Sequence, residues 1–254
     1  MATQNKAKGK RQEAKGNAVL TFSFFLLPLS LLLLLFCVQG QTASPNQFSQ
    51  SFKVSGQPHL ILDNPFGSVS VRPWNKNEIQ VLADGLVELI KAEQAGDNTV
   101  KVETRKQRKL EIVNFTVNVP TSCSLNIRTI SGRVVVRGVS GEIKTQTVDG
   151  DIELIYIKSK DVDATSNSGR VTYLGDLVAK GKYNFHSSNN AVDVTIPATA
   201  SFRLTATSLR QNIDLGDFKF NGSSTGTRFT GDYAGGEAIL NLSTHQGSIH
   251  LHKK

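Results

Sequence analysis

Five carboxylates lie close together in mid-chain: Asp149, Asp151 and Glu153 alternate along one stretch, and Asp161 and Asp163 follow shortly after. A glycosidase needs two carboxylates facing each other across the scissile bond, one of them with its pKa raised. Solvent-facing positions of a strand give the same alternation, with Arg133 and Lys144 as expected partners, so a solvated face is the preferred reading. Three histidines gather near the carboxyl end, His245, His250 and His252, the last two at i and i+2 where they could share a metal ion. No third ligand stands at a recognisable spacing, and Asp149-Gly150-Asp151 lacks the other oxygen ligands of a calcium loop. No catalytic, cofactor-binding or metal-ligating residue is therefore assigned.

Other reactive types are equally sparse. The two cysteines, Cys37 and Cys123, cannot build a disulfide framework or a four-ligand zinc site. Cys37 sits in an apolar run behind Phe36, where a lipoprotein signal needs a small residue, and Cys123 is expected to be a small buried or semi-buried side chain with no histidine beside it to activate it. The basic run Lys101 to Lys109 has the charge to touch anionic lipid or an acidic glycan, although a solvated edge is the simpler reading. Nucleic acid is not expected, because no stacking aromatics interleave these cations. Asn114, Asn221 and Asn241 head glycosylation sequons, which matter only in a host with that machinery.

The elements that must carry these residues follow from composition and pattern. At 39% hydrophobic and 20% charged, the 254-residue chain is globular in composition, which excludes wholesale disorder. Its net charge of +8 is unevenly placed: Lys6, Lys8, Lys10, Arg11 and Lys15 against Glu13 give the first 17 residues half of it. Ala18 to Val38 then runs without a charged side chain. As a helix this stretch reaches roughly 30 Å, the thickness of a bilayer's hydrocarbon core. The positive-inside rule puts the tail (1–17) in the cytoplasm and everything after about Gly40 across the membrane.

Residues 18–40 thus read as a transmembrane anchor or a signal peptide. Val38-Gln39-Gly40 and Gln41-Thr42-Ala43 both offer cleavage sites, while the apolar run is longer than a usual signal core. Residues 41–50 are polar and read as a linker, and 51–254 as one folded domain.

Within that domain a short unit recurs, Gly, Asn or Gln followed by alternating aliphatic residues: at Gly67, Gly132, Gly141, Gly150, Gly169, Asn190, Gln211, Gly236 and Gly247. Alternation is the mark of a strand with one buried face, and the leading residue suits a corner. In Gly132 to Val136, Val134 and Val136 point inward and Arg133 outward. The steps are nine residues from Gly132 to Gly141 and again to Gly150, then 19 to 21 from Gly150 through Gly169 and Asn190 to Gln211. Steps of about nine suit successive faces, and twice that a full rung, of a coiled solenoid whose units must stack to bury their apolar sides. The expected fold is all-β, a right-handed parallel β-helix or β-solenoid after one amino-terminal hydrophobic helix, with a β-sandwich or meander as the alternative. Leu86 to Ala95 breaks the pattern; Leu86, Leu89 and Ile90 are spaced for a short helix ending at Gly96.

The stretch from Phe115 through Val119-Pro120, Ser131-Gly132-Arg-Val-Val-Val and Gly138-Val-Ser-Gly141 to Asp149-Gly150-Asp-Ile-Glu-Leu154, with the opening copy at Leu60 to Val71, resembles a family of bacterial β-strand-repeat proteins known as "putative adhesins". The resemblance covers roughly residues 50 to 254. It implies a β-helix-like fold and an extracytoplasmic location, and it brings no catalytic residues. Where the family has an acidic residue after the glycine, this chain has Arg133, Arg170 and Glu142, and Asp151 in one copy. The leading expectation is a non-enzymatic adhesin or envelope scaffold of the bacterial cell envelope, single-pass with its amino terminus inside or exported to the periplasm or cell surface. Its partners would be an envelope glycan or protein and, through residues 18–38, the membrane. An envelope-stress sensor domain and a polysaccharide-acting enzyme are the alternatives.

Overall fold

The alternating stretches become strands, and those in the middle of both sheets bury every second residue. The computed structural model describes residues 47–105, 111–210 and 212–254; the basic tail and the apolar segment 18–38 lie outside them, and no helix among the described residues is long and apolar enough to cross a membrane. The chain runs through β1 (Gln47–Lys53), β2 (His59–Phe66), β3 (Val69–Trp74), β4 (Glu78–Gly85), β5 (Ile90–Ala95), β6 (Thr99–Thr104) and β7 (Val113–Pro120). It continues with β8 (Ser124–Ser131), β9 (Val134–Arg137), β10 (Ile143–Thr147), β11 (Ile152–Ile157), β12 (Asp161–Ser166), β13 (Val171–Gly175), β14 (Lys182–Ser187) and β15 (Val192–Ile196). Last come β16 (Phe202–Ser208), β17 (Ile213–Asp214), β18 (Asn221–Thr225), β19 (Arg228–Tyr233), β20 (Ala238–Thr244) and β21 (Ile249–Lys253).

From β8 to β17 the chain alternates between two sheets, ordered β1-β4-β7-β3-β9-β11-β13-β15-β21-β17 and β18-β19-β16-β20-β14-β12-β10-β8-β2-β6-β5. Here they are called the first and second sheet. Pairing along the middle of both is parallel. Nine residues therefore carry the chain from one sheet to the other, and 19 to 21 return it to the same sheet one rung on, as the glycine spacing predicts. The fold is an all-β solenoid with two faces and no closed barrel.

Between the sheets the inward side chains stack in register. In the first sheet Val71, Val136, Leu154, Tyr173, Val194 and Leu251 form one such column, all fully buried. Each buried aliphatic contributes about 1.5–3 kcal/mol gross, largely offset by chain entropy. We expect Val134→Asp to cost at least about 4 kcal/mol, a large part of a domain's stability. Arg133→Ala should be nearly silent, since Arg133 is exposed and loses only a surface ion pair with Glu153. Equal falls in thermal midpoint would contradict the alternation.

The corner leading from the second sheet into the first is built from a column the glycine pattern alone did not reveal. The last inward position of the second sheet is polar on every rung: Thr104, Asn64, Thr129, Thr147, Ser166, Ser187, Thr244 and Ser208, all buried. Three residues after most of them comes the corner glycine or asparagine. Ser187 Oγ donates to the Gly169 carbonyl at 2.8 Å and accepts from the Asn190 N–H at 3.1 Å. Ser166 bridges Gly150 and Gly169 in the same way, and Thr244 bridges Asn190 and Gly247. Ser166, Ser187 and Thr244 thus each tie their own corner to the one stacked on it. Successive corners approach so closely that a Cβ on Gly150 would sit 2.1 Å from the Gly132 carbonyl oxygen.

Both ends depart from simple stacking. The first rung, β2 with β3, lies between β6 with β7 and β8 with β9, and the last rung, β20 with β21, lies between β14 with β15 and β16 with β17. Antiparallel strands finish the stack: β1 and β4 in the first sheet, β5 at one end of the second, β18 and β19 at the other. At the carboxyl-proximal cap Phe202, Phe218, Phe220, Phe229 and Tyr233 close the core edge to face, with Phe218 and Tyr233 centroids 4.9 Å apart.

Two local expectations are corrected. Leu86 to Ala95 is not a helix but a single 3-10 turn, Val87–Leu89, followed by β5. Only Leu89 of the three spaced apolar residues is buried, and pairing with β6 satisfies the backbone of Ile90–Ala95. Gly96, at φ +72°, turns that hairpin. At the other boundary, β1 begins at Gln47, inside the stretch read as linker.

Candidate functional site

The five carboxylates do not converge. Asp149 and Asp151 lie in the corner before β11 and only Glu153 is on that strand, in the first sheet, whereas Asp161 and Asp163 are on β12 in the second. The two groups thus lie on different sheets, with their side chains on outward faces, and do not face each other across a cleft as the paired carboxylates of a glycosidase do. The expectation that Asp149, Asp151 and Glu153 share one strand face is corrected, since β11 begins only at Ile152, and which sheet each strand joins was not visible in the alternation.

Their surroundings are those of a charged outer face. Glu153 pairs with Arg133, as expected, and Asp151 Oδ1 accepts the Arg170 backbone N–H at 2.8 Å. Lys144, the other expected partner, is on β10 in the second sheet, in register with Asp163. Arg170 donates to Asp193 Oδ2 at 2.8 Å, and His250 Nδ1 meets Asp193 Oδ1 at 2.6 Å. Cations and carboxylates of neighbouring rungs therefore alternate up the first sheet.

His250 and His252 share a face, with ring centroids 6.2 Å apart. His245 is elsewhere, with its ring edge-on to His186 at 5.3 Å across the second sheet. Among the described residues no group of three or more His, Cys, Asp and Glu side chains is placed to hold a metal ion. Burial, then the neighbouring His245, holds the His186 imidazole below its ordinary value of 6.5, opposed by its bond to Ser243. A base whose pKa is lower folded than unfolded destabilises the fold as pH falls through the unfolded value and on to the folded one. The thermal midpoint should decline below about pH 6.5. His186→Gln should flatten that decline, and an unchanged pH profile would count against the assignment.

The remaining sequence candidates have structural employment. Cys123 is fully buried, and burial pushes its thiol up to about 12, which makes it inert. The side chain of Asn114 is held by Ser68 and Asp84, and Asn241 donates to Asn184 Oδ1 at 2.9 Å, while Asn221 is exposed on β18. Of the basic run, Lys101 is on β6, and Arg105 lines a groove of about 550 Å³ with Arg128, Asp63 and Glu103. Residues 106–109 lie outside the described residues.

What the fold does assemble is a pair of broad polar faces. On the second sheet one outward row runs Asn126, Lys144, Asp163, Asn184, Asn241, Thr205 in unbroken register over six strands. At about 4.8 Å per strand it presents amides, hydroxyls and both signs of charge over roughly 24 Å. The next row adds Gln146, Thr165, His186 and Ser243.

No family model matches the sequence, and no curated protein is similar to it. Solved structures are. A "putative cell adhesion protein" from Clostridium sporogenes superposes with a TM-score of 0.54 at 12% identity, covering 83% of this chain and all (100%) of that one. A "putative adhesin" from Bacteroides fragilis follows with a TM-score of 0.42 at 12% identity, covering 83% of this chain and 98% of that one. The chain shares the fold of the Clostridium sporogenes protein.

Proposed function

We propose that this chain is a non-enzymatic, exported envelope protein that attaches to a cell-envelope component, glycan or protein, through the outward faces of its solenoid. The observation that carries the reading is the unbroken polar row across six strands of the second sheet, with no enclosed catalytic cleft among the described residues. Weak contacts repeated along a rigid scaffold add through effective concentration, which is how such a face gains useful avidity. The apolar segment 18–38 would hold the solenoid at the membrane or direct its export. The shared fold with a protein described as a cell adhesion protein supports the same reading.

The test uses purified residues 44–254 with intact bacterial cells and isolated envelope fractions. Binding should be present and should weaken in steps as outward residues are replaced along the row. No binding to any envelope fraction, or turnover of an envelope polysaccharide that one carboxylate change abolishes, would reject the proposal.

A further inference from the structure

On the second sheet the starts of β2, β8, β10 and β12 frame a depression of about 320 Å³ lined by His59, Asn126, Glu142, Lys144, Asp161 and Asp163. That volume is at the small end of the roughly 300–1,000 Å³ of small-molecule sites.

Two observations set it apart from the rest of the face. Five buried side-chain polar atoms among the described residues lack a hydrogen-bond partner, and three are threonine hydroxyls on inward positions: Thr129, Thr145 and Thr147. The other two, His59 Nε2 and Asn126 Oδ1, both belong to this depression. Buried polar atoms are normally paired, so two orphans converging on one concavity mark groups waiting for a partner. In addition, the side chains of Glu142, Lys144 and Asp161 make no ion pair among the described residues, whereas Arg133 with Glu153 and Arg170 with Asp193 pair from rung to rung on the first sheet. All three are exposed, so they can turn aside and uncover the floor.

We propose that this depression binds one polyhydroxyl unit, a hexose-sized sugar residue, of an envelope glycan. A sugar hydroxyl both donates and accepts. It can donate to Asn126 Oδ1 and to the carboxylates, accept from Lys144, and satisfy His59 Nε2 in either tautomer. A simple anion meets three carboxylates against one lysine, and an apolar ligand leaves both orphans unpaired. The inference rests on the proposed envelope-binding role and names the chemistry at one place on that face.

The experiment is saturation-transfer NMR on the full-length chain with methyl glycosides of glucose, galactose and mannose and with N-acetylglucosamine, each up to about 10 mM, in keeping with the weak affinity expected of one unit. At least one should bind. Lys144→Met and Asn126→Leu should each weaken it at least about tenfold, whereas Thr205→Val, farther along the same row, should leave it unchanged. All three positions face outward, and an unaltered thermal midpoint shows that the fold is intact. Saturation by none of the four sugars, or equal binding by all three variants, overturns the inference. Binding abolished by a chelator also overturns it, because the carboxylates would then be ligating a cation. If the purified domain still binds envelope in any of these cases, the broader function stands and only the assignment to this depression falls.

Discussion

Gly169→Ala should be among the most damaging single-methyl changes in the molecule, lowering stability by about 3 kcal/mol or more. A Cβ there would stand 1.9 Å from the Gly150 carbonyl oxygen and 2.2 Å from its carbon. Both are backbone atoms of the adjoining rung, so no side-chain rotation relieves the clash. The corners must part by about 1 Å or more, and that movement disrupts the bonds by which Ser166 ties Gly150 to Gly169 and Ser187 ties Gly169 to Asn190. Ser187→Ala, which empties one bridge without a clash, should cost less, about 1–3 kcal/mol. Gly226→Ala is the control: it has open space around it and φ +54°, so it loses only the left-handed preference, about 1–2 kcal/mol. Chemical denaturation of the three variants gives the order directly. A Gly169 variant no worse than the Gly226 variant would mean that the corner column bears no stress.

Leu251→Asp should cost as much as Val134→Asp, at least about 4 kcal/mol, although Leu251 stands three residues before Lys254. In a simple repeat array the terminal unit is the least stable and tolerates such changes. Here β21 is seated between β15 and β17, and Leu251 is fully buried beside Val194. A charge at that point disturbs its own rung, the one below it and the cap built on it, because β16 reaches the rest of its sheet through β20. His252→Ser, one residue on and exposed, should be nearly silent. Thermal melts of the pair decide the matter: a Leu251 variant that loses only a few degrees would show that the last rung frays independently.

The repeat could be read from sequence because strand alternation and corner glycines are local signals. Nine residues per face and about twenty per rung follow from the positions of Gly132, Gly141, Gly150 and Gly169 alone. The hydroxyl column was equally present, as Thr or Ser three residues before Gly at Thr129, Thr147, Ser166 and Thr244. It was missed because serine and threonine count as surface residues in any hydropathy pattern. Their burial depends on a partner carbonyl supplied by another rung. Spatial order was not legible either. Period says how far the chain travels between rungs, not which gap it fills, so the seating of β2 with β3 and of β20 with β21 needed coordinates. The misread helix has a similar cause: the spacing of Leu86, Leu89 and Ile90 fits a turn of helix, but β6 offers Ile90–Ala95 a ladder that wins. As for the site, the sequence directed attention to Asp149, Asp151 and Glu153, whereas the two unpaired polar atoms come from His59 and Asn126, a contact between strands some 65 residues apart that no local motif announces.

The inward seating of the first and last rungs also limits how such a protein can change in length. Neither the β2–β3 rung nor the β20–β21 rung is outermost, so copying either one would not extend the stack outward. A longer or shorter version must gain or lose a turn in the more uniform middle, between β10 and β15, where a Thr or Ser stands three residues before a corner Gly or Asn on each rung. The ends would stay constant while the body varies, and with the body would vary the length of the polar row on the second sheet.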